Sequence, residues 1–135
     1  MSTENVALVQ RAYHAIATGD MAWIHEHSAP DVIFEQGGSF PTAGIYHGRD
    51  AMMHHIGEFM ALVGGNLSMA PVDFLSSSER VAVVVHVTIE FEGRELTFDE
   101  AQVWSVSGDQ VTEMHALPFE ASKVDEFFAS ASTYA

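Results

Sequence analysis

The sequence contains no cysteine, few basic residues and no long apolar run. Without cysteine, a disulfide framework, a thiolate metal site and a cysteine nucleophile are all excluded. Five lysines and arginines stand against 19 acidic residues, and the resulting net charge of −14 repels nucleic-acid phosphates and anionic lipid surfaces. Neither nucleic acid nor a membrane is therefore expected as a partner.

The longest apolar stretch is also too short to cross a bilayer. The run VAVVV at 81–85 falls well below the roughly 20 residues that a spanning helix needs. The first twenty residues carry one arginine and two acids, which differs from the basic start and apolar centre of a signal peptide. A chain of 135 residues, 47% of them hydrophobic, is expected to form one domain over 1–135 and to be cytoplasmic.

The first half of the sequence has the apolar spacing of helices. Residues 4–17 place apolar side chains at steps of three and four, which predicts an amphipathic helix. A short helix is predicted over 21–27, because Asp20 can cap its start. A strand over 32–35 and a glycine-rich loop follow, and a third helix is predicted over 49–63.

Beyond the third helix, the apolar period changes to strict alternation. Four β-branched and aromatic segments, separated by short polar or glycine turns, predict an antiparallel meander. The predicted strands are 66–75, 80–91, 95–106 and 110–117. A last helix is predicted over 121–130. Helices followed by a twisted antiparallel sheet predict an α+β domain in which the helices cover one concave sheet face.

Three stretches, together with the order of the elements, carry a resemblance to a known family. They are RAYHAIATGD at 11–20, FEQGGSFPTAGIYHGRDAM at 34–52 and SGDQVTEMH at 107–115. Over nearly its whole length the chain resembles the SnoaL-like, ketosteroid-isomerase-like branch of the nuclear transport factor two-like (cystatin-like) superfamily. The resemblance implies a cone-shaped domain whose curved sheet wraps around the N-terminal helices and encloses a pocket for a small hydrophobic molecule. It also implies a homodimer joined through the outer sheet faces.

The resemblance indicates a catalytic carboxylate. Matching Gly38-Ser39 and Pro41 to the corresponding loop of ketosteroid isomerases places Glu35 at the position of their proton-shuttling aspartate. A carboxylate at the inner end of a buried strand is desolvated, which raises its pKa toward the range that favours proton abstraction beside a carbonyl. Because neighbours on a strand face opposite sides, the alternative is that Glu35 faces outward and Gln36 takes the inward position.

The other half of the ketosteroid isomerase site is altered. Its oxyanion-binding tyrosine and aspartate fall on Ala12 and Gln102, and the acid of the related polyketide cyclases falls on Ala116. Gln102 can still donate hydrogen bonds through its amide, or can simply tie strands together as a buried amide. His115, near the end of the last strand, is the candidate partner of Glu35, although alternation can also turn it outward.

The remaining expected site residues form the wall of the pocket. They are Tyr13, Trp23, Ile56, Val85, Val87, Trp104 and Met114. The sequence contains neither a converging set of metal ligands nor a phosphate-binding glycine loop, so no metal and no cofactor is expected.

Two functions fit these residues. One is a cofactor-free isomerase, cyclase or lyase that uses a pocket carboxylate for proton transfer on a small hydrophobic carbonyl compound. The other is a noncatalytic carrier or dimerisation module that holds a lipid-like or aromatic ligand in the same pocket.

Overall fold

The computed structural model describes residues 3–39 and 42–130, so Pro41, which was used to match the loop, lies outside the described residues. The helices are α1 (Thr3–Thr18), α2 (Met21–Glu26), α3 (Arg49–Leu62) and α4 (Ala121–Ala129). The strands are β1 (Ser28–Gln36), β2 (Gly44–His47), β3 (Leu67–Ser76), β4 (Arg80–Phe91), β5 (Arg94–Ser107) and β6 (Gln110–Pro118). In this part of the chain, no helix combines the length and apolar character of a membrane crossing.

The strands form one sheet in the order β2-β1-β6-β5-β4-β3. Strands β3 to β6 make the antiparallel meander that the alternation predicts. The meander is extended by β1, which runs parallel to β6 and antiparallel to β2. The predicted α+β class, with a curved sheet around helices, is confirmed.

Two short pieces of strand differ from the sequence-based prediction. The segment 28–30 lies between the predicted helix at 21–27 and the predicted strand at 32–35, and it begins β1. The register between β1 and β6 shifts between Ser28 and Ile33, so Pro30 lies in the irregular part of the ladder, where its missing N–H is tolerated. The other piece is β2, which lies within the predicted loop. Its four residues are too few to show a period of two, and pairing with β1 stabilises it.

The concave face of the sheet carries the core. Along β4 the predicted alternation is confirmed, because every second residue from Val81 to Ile89 is buried while His86 is exposed. The α1 helix covers this face with Leu8, Val9 and Ala12, all of which are buried. The ladder of hydrogen bonds between the strands offsets the free-energy cost of removing their backbone N–H and C=O groups from water.

Helix α4 closes one end of the core. Its Val124 and Phe128 are buried, and the Phe128 ring lies 6.3 Å from the Phe59 ring of α3 and 6.0 Å from the Phe91 ring of β4. Asp125 fastens the outer side of the helix to the loop after β1, because its carboxylate accepts hydrogen bonds from the Ser39 backbone N–H at 2.8 Å and hydroxyl at 2.7 Å.

Truncating Phe128 should destabilise the fold strongly. We expect Phe128→Ala to lower the free energy of unfolding by about 3–5 kcal/mol, because it leaves a cavity among packed rings. The matched control is Phe119→Ala, since Phe119 is 61% exposed and its loss should change stability by no more than about 0.5 kcal/mol. Urea denaturation measures both variants, and equal effects would show that α4 does not pack as described.

Candidate functional site

A cavity of about 130 Å³ lies between the concave sheet face and the helices. All four helices and five of the strands contribute side chains to its lining, and most of these side chains are aliphatic, aromatic or methionine. Among the lining residues that the structure describes there is no lysine or arginine. The cavity therefore suits an apolar molecule better than an anion.

Three polar side chains meet on one side of this cavity. Glu100 and Gln102 are only 4% and 2% exposed, and they share the inward face of β5 because they lie two residues apart. Gln36 reaches Glu100 from β1 and forms a hydrogen bond with its side chain. The carboxylate of Glu100 thus sits between two amides inside an otherwise apolar chamber.

A chain of hydrogen bonds runs from α1 into this cluster. The Trp104 indole N–H donates to the Tyr13 hydroxyl oxygen at 3.1 Å, and the Tyr13 O–H donates to Oε1 of Gln102 at 2.6 Å. Nε2 of Gln102 then donates to Oε1 of Glu100 at 2.7 Å. Because an indole N–H can only donate and an ionised carboxylate can only accept, the two ends together set the direction of the chain and the orientation of the Gln102 amide. Glu100 is the terminal acceptor.

The surroundings of this chain change the proton affinities of its members. Burial raises the pKa of Glu100, and this effect outweighs the hydrogen bonds from Gln102 and Gln36, which favour the charged form. Burial also raises the pKa of Tyr13 well above its usual value, against the hydrogen bond from Trp104. Tyr13 therefore keeps its proton and remains a donor, while Glu100 becomes a more basic carboxylate than an exposed glutamate.

A second ionisable group lines the cavity from α3. His55 is buried, and its ring stacks on Tyr46 with centroids 4.2 Å apart and lies 5.2 Å from the Phe34 ring. Burial lowers the pKa of His55, with a smaller opposing effect from Glu58. The imidazole is therefore neutral at pH 7. The sequence reasoning missed this residue, although His55 lies three positions after Met52 on the apolar side of the helix.

Most of the expected wall residues line the cavity, and so does Gln102. The cavity lining includes Trp23, Ile56, Val87, Gln102, Trp104 and Met114. Tyr13 does not line the cavity, but it lies behind Gln102 and donates a hydrogen bond to it. Val85 is fully buried on the same sheet face but is packed in the core rather than exposed to the cavity.

The expected inward position of Glu35 is wrong. Phe34 and Gln36 line the cavity, so Glu35 between them faces the outer side of the sheet, where its side chain is 32% exposed. Phe34 decides the orientation, because the larger apolar side chain is buried against Met114 on the neighbouring strand. Gln36 takes the inward place, as the alternative allowed.

His115 does lie beside Glu35, but on this outer face. Its Nδ1 is 2.7 Å from Oε1 of Glu35, and its Nε2 is 3.0 Å from Oε1 of Glu113. The two ring nitrogens point in opposite directions, so the two carboxylates do not converge on one point. Within the described ranges, no group of three histidine or acidic side chains is arranged to hold a metal ion.

The buried carboxylate that the sequence reasoning did not select is Glu100. The signal for it was present, because Phe98, Glu100, Gln102 and Trp104 share one face of a long alternating strand. An acid at an inward position between aromatic residues is desolvated whatever the details of the packing. The resemblance drew attention to the first strand instead.

Comparison with known proteins gives a family and several relatives. Residues 9–114 match the family model described as SnoaL-like domain. The uncharacterized protein Rv0034 of Mycobacterium tuberculosis is 28% identical over 123 residues, which cover 90% of this chain and 94% of the relative. The structure of Bal32a from a soil-derived mobile gene cassette has a TM-score of 0.87 at 25% identity and covers 92% of this chain and 95% of its own. TerC, co-crystallised with polyporic acid, has a TM-score of 0.81 at 19% identity, with coverage of 93% and 98%.

The outer carboxylates should make stability depend on pH through His115. The hydrogen bonds to Glu35 and Glu113 raise the pKa of His115. A raised folded-state pKa contributes stability that is fully present below the unfolded value of about 6.5 and is lost as pH rises through the folded value. We therefore expect His115→Gln to destabilise the protein most at about pH 5.5 and least at about pH 9.

Denaturant titrations at one fixed protein concentration across this pH range measure the effect. The control is the same substitution in a Glu35→Gln/Glu113→Gln background, where the histidine has lost both carboxylates. There the excess destabilisation at low pH should disappear, because the remaining effect of burial lowers the pKa of His115. A wild-type difference that stayed constant from pH 5.5 to 9 would contradict the described contacts.

Proposed function

Because the chain belongs to the family of SnoaL-like domains, we propose that it binds a small, largely apolar molecule and transfers a proton on it without a cofactor, as an isomerase, cyclase or lyase. The resemblance inferred from the three sequence stretches is confirmed by the family match. The observation that carries the proposal is the buried carboxylate of Glu100, which ends an oriented hydrogen-bond chain inside an apolar cavity.

Glu100 acts as the base. Its raised pKa brings the carboxylate closer to the basicity that proton abstraction beside a carbonyl requires at neutral pH. The carboxylate takes the proton, the electron pair moves into the carbonyl to form an enolate, and the protonated acid returns the proton to another carbon. The amide of Gln102 donates a hydrogen bond to the developing oxyanion, a weaker stabilisation than a neutral acid provides.

Other residues position the reacting groups and shape the ligand. Tyr13 is a positioning residue, because it fixes the orientation of the Gln102 amide. Trp23 and Trp104 form aromatic walls. The cavity of about 130 Å³ compares with an engineered apolar cavity of roughly 150 Å³ that binds benzene, which indicates a ligand of about one ring unless the walls move. The co-crystallisation of TerC with polyporic acid supports a small molecule as ligand.

A noncatalytic carrier is the second candidate. Five of the seven methionines in the sequence line the cavity, and they are Met21, Met52, Met60, Met69 and Met114. Methionine side chains adapt to ligands of different shape, which suits a protein that holds several related molecules. The two candidates differ in whether a bound carbonyl compound exchanges its protons.

Exchange of the methyl deuterons of trideuterated acetophenone with water tests the proposed base. Acetophenone carries acidic C–H bonds beside a carbonyl on a single ring, the size that the cavity indicates. We expect the wild-type protein to accelerate the exchange, and Glu100→Gln to reduce that acceleration by about 100-fold or more while still binding acetophenone. Proton NMR measures the exchange, and fluorescence of the two tryptophans follows binding.

The matched control is Glu35→Gln, which makes the same change in charge on the outer face. It should retain the wild-type exchange rate. If Glu35→Gln lost the accelerated exchange and Glu100→Gln kept it, the base would be Glu35 and the assignment to Glu100 would be wrong. Binding of acetophenone without accelerated exchange in any variant would favour the carrier.

We further propose that two copies of the chain pair through the outer sheet face. The strand register aligns one row of outward side chains across the sheet, consisting of Ile45, Glu35, His115, Val103, Ala82 and Leu75. Ile45 and Leu75 at its two ends are exposed large apolar residues, and small apolar side chains lie near its centre. A self-complementary face of this kind suits a two-fold dimer.

A charge in the centre of this row should separate the copies. We expect the wild-type protein to sediment as a dimer and Val103→Glu to sediment as a monomer, because the substitution buries a carboxylate opposite its own copy. Ser107→Glu, at the exposed end of β5, is the control and should leave the dimer intact. Sedimentation velocity measures all three, and a wild-type monomer at every concentration would overturn the pairing.

A further inference from the structure

The amide of Gln102 has a hydrogen-bond donor that is poorly satisfied. One hydrogen of Nε2 is directed to Oε1 of Glu100 at 2.7 Å, and the other contact of Nε2 is the sulfur of Met69 at 3.6 Å. A thioether sulfur is a weak acceptor compared with an oxygen. Replacing the weak acceptor of a buried N–H by a stronger acceptor is therefore stabilising.

The Met69 side chain can move so that its sulfur no longer contacts the Gln102 amide. Met69 lies on β3, which is an edge strand, and its side chain lines the cavity opposite Val87 of β4. The Met69 side chain is only partly buried. Three rotatable bonds allow the sulfur to move aside while the strand stays paired.

The donor and the base stand next to each other. Nε2 of Gln102 and Oε1 of Glu100 are 2.7 Å apart. A ligand that contacts both atoms must therefore have its acceptor oxygen and its acidic hydrogen close together, on neighbouring carbon atoms. A carbonyl with an adjacent C–H has this arrangement. An ionised carboxylate has about four lone-pair positions, so Glu100 can accept another hydrogen while it keeps its two amide partners.

We propose that the sulfur of Met69 occupies the subsite of the ligand's oxygen, and that an enolisable carbonyl compound displaces it to accept a hydrogen bond from Gln102. This inference rests on the proposed function and names its substrate class. Met69 is thereby a specificity-determining residue, because it competes with the ligand's oxygen for one N–H. A hydrocarbon of the same shape cannot accept this hydrogen bond, so displacing the Met69 sulfur does not increase its affinity.

Acetophenone and cumene (isopropylbenzene) test this subsite, since they differ mainly in a carbonyl oxygen against a methyl group. The measured quantity is the ratio of their dissociation constants. We expect the wild-type protein to prefer acetophenone, and Met69→Leu to increase that preference roughly two- to tenfold, the range for one neutral hydrogen bond. Leucine has nearly the same volume as methionine and cannot accept the hydrogen bond, so the fold should tolerate it.

Met60→Leu is the matched control, because Met60 also lines the cavity but does so from α3, whereas the sulfur in contact with Gln102 belongs to Met69. Its ratio should remain within about twofold of the wild-type ratio, as expected where no hydrogen bond changes. A second readout uses acetophenone labelled with ¹³C at the carbonyl. Its resonance should move downfield on binding to wild type and to Met69→Leu, and this movement should be absent in Gln102→Leu.

The outcomes separate the subsite from the proposed function. Unchanged ratios in Met69→Leu, or a carbonyl resonance that does not respond to Gln102→Leu, would overturn the subsite and leave ligand binding and proton exchange standing. If acetophenone binds with the predicted ratios and resonance but its deuterons do not exchange, the subsite holds and the enzymatic proposal fails. Binding of neither compound would overturn the ligand cavity and the subsite together.

Discussion

The desolvation of one carboxylate is the constraint on which the rest of the site depends. Placing Glu100 in an apolar chamber costs several kcal/mol unless donors are supplied, since an unpaired buried charge loses its hydration. Gln102 and Gln36 supply the donors directly, and Tyr13 and Trp104 hold Gln102 in the required orientation. Helix α1 must therefore pack at the register that brings Tyr13 to Gln102, and this contact joins the helical layer to the sheet.

The same sheet gives two glutamates opposite properties. Glu100 faces inward, where burial raises its pKa. Glu35 faces outward and lies against His115, whose pKa it raises. The two glutamates differ in position on their strands, because Glu35 lies between the inward Phe34 and Gln36 of β1, whereas Glu100 shares the inward face of β5 with Gln102. The inner face therefore holds a buried carboxylate among apolar side chains, whereas the outer face carries a partly exposed pair of Glu35 and His115.

Much of the fold could be predicted from periodicity. The helix predicted over 4–17 is Thr3–Thr18, and the strand predicted over 80–91 is Arg80–Phe91. The secondary structure of a long amphipathic segment can be predicted from its sequence, since many residues repeat the same pattern. The four residues of β2 do not, and their strand conformation comes from pairing with β1. In the candidate site, Gln102 and most of the wall were predicted, while Glu100 and His55 were not selected.

The sequence by itself determined the order of every element except β2, the inward face of β4 and β5, and the family. Only the tertiary structure decided which carboxylate enters the cavity. The side of Glu35 depends on the parallel pairing of β1 with β6, where Gln36 lies opposite Ala116, and Gln102 is oriented by Tyr13 from 89 residues away. Contacts between residues so distant in the chain are absent from any local pattern, because they form only when helices and strands pack together and exclude water.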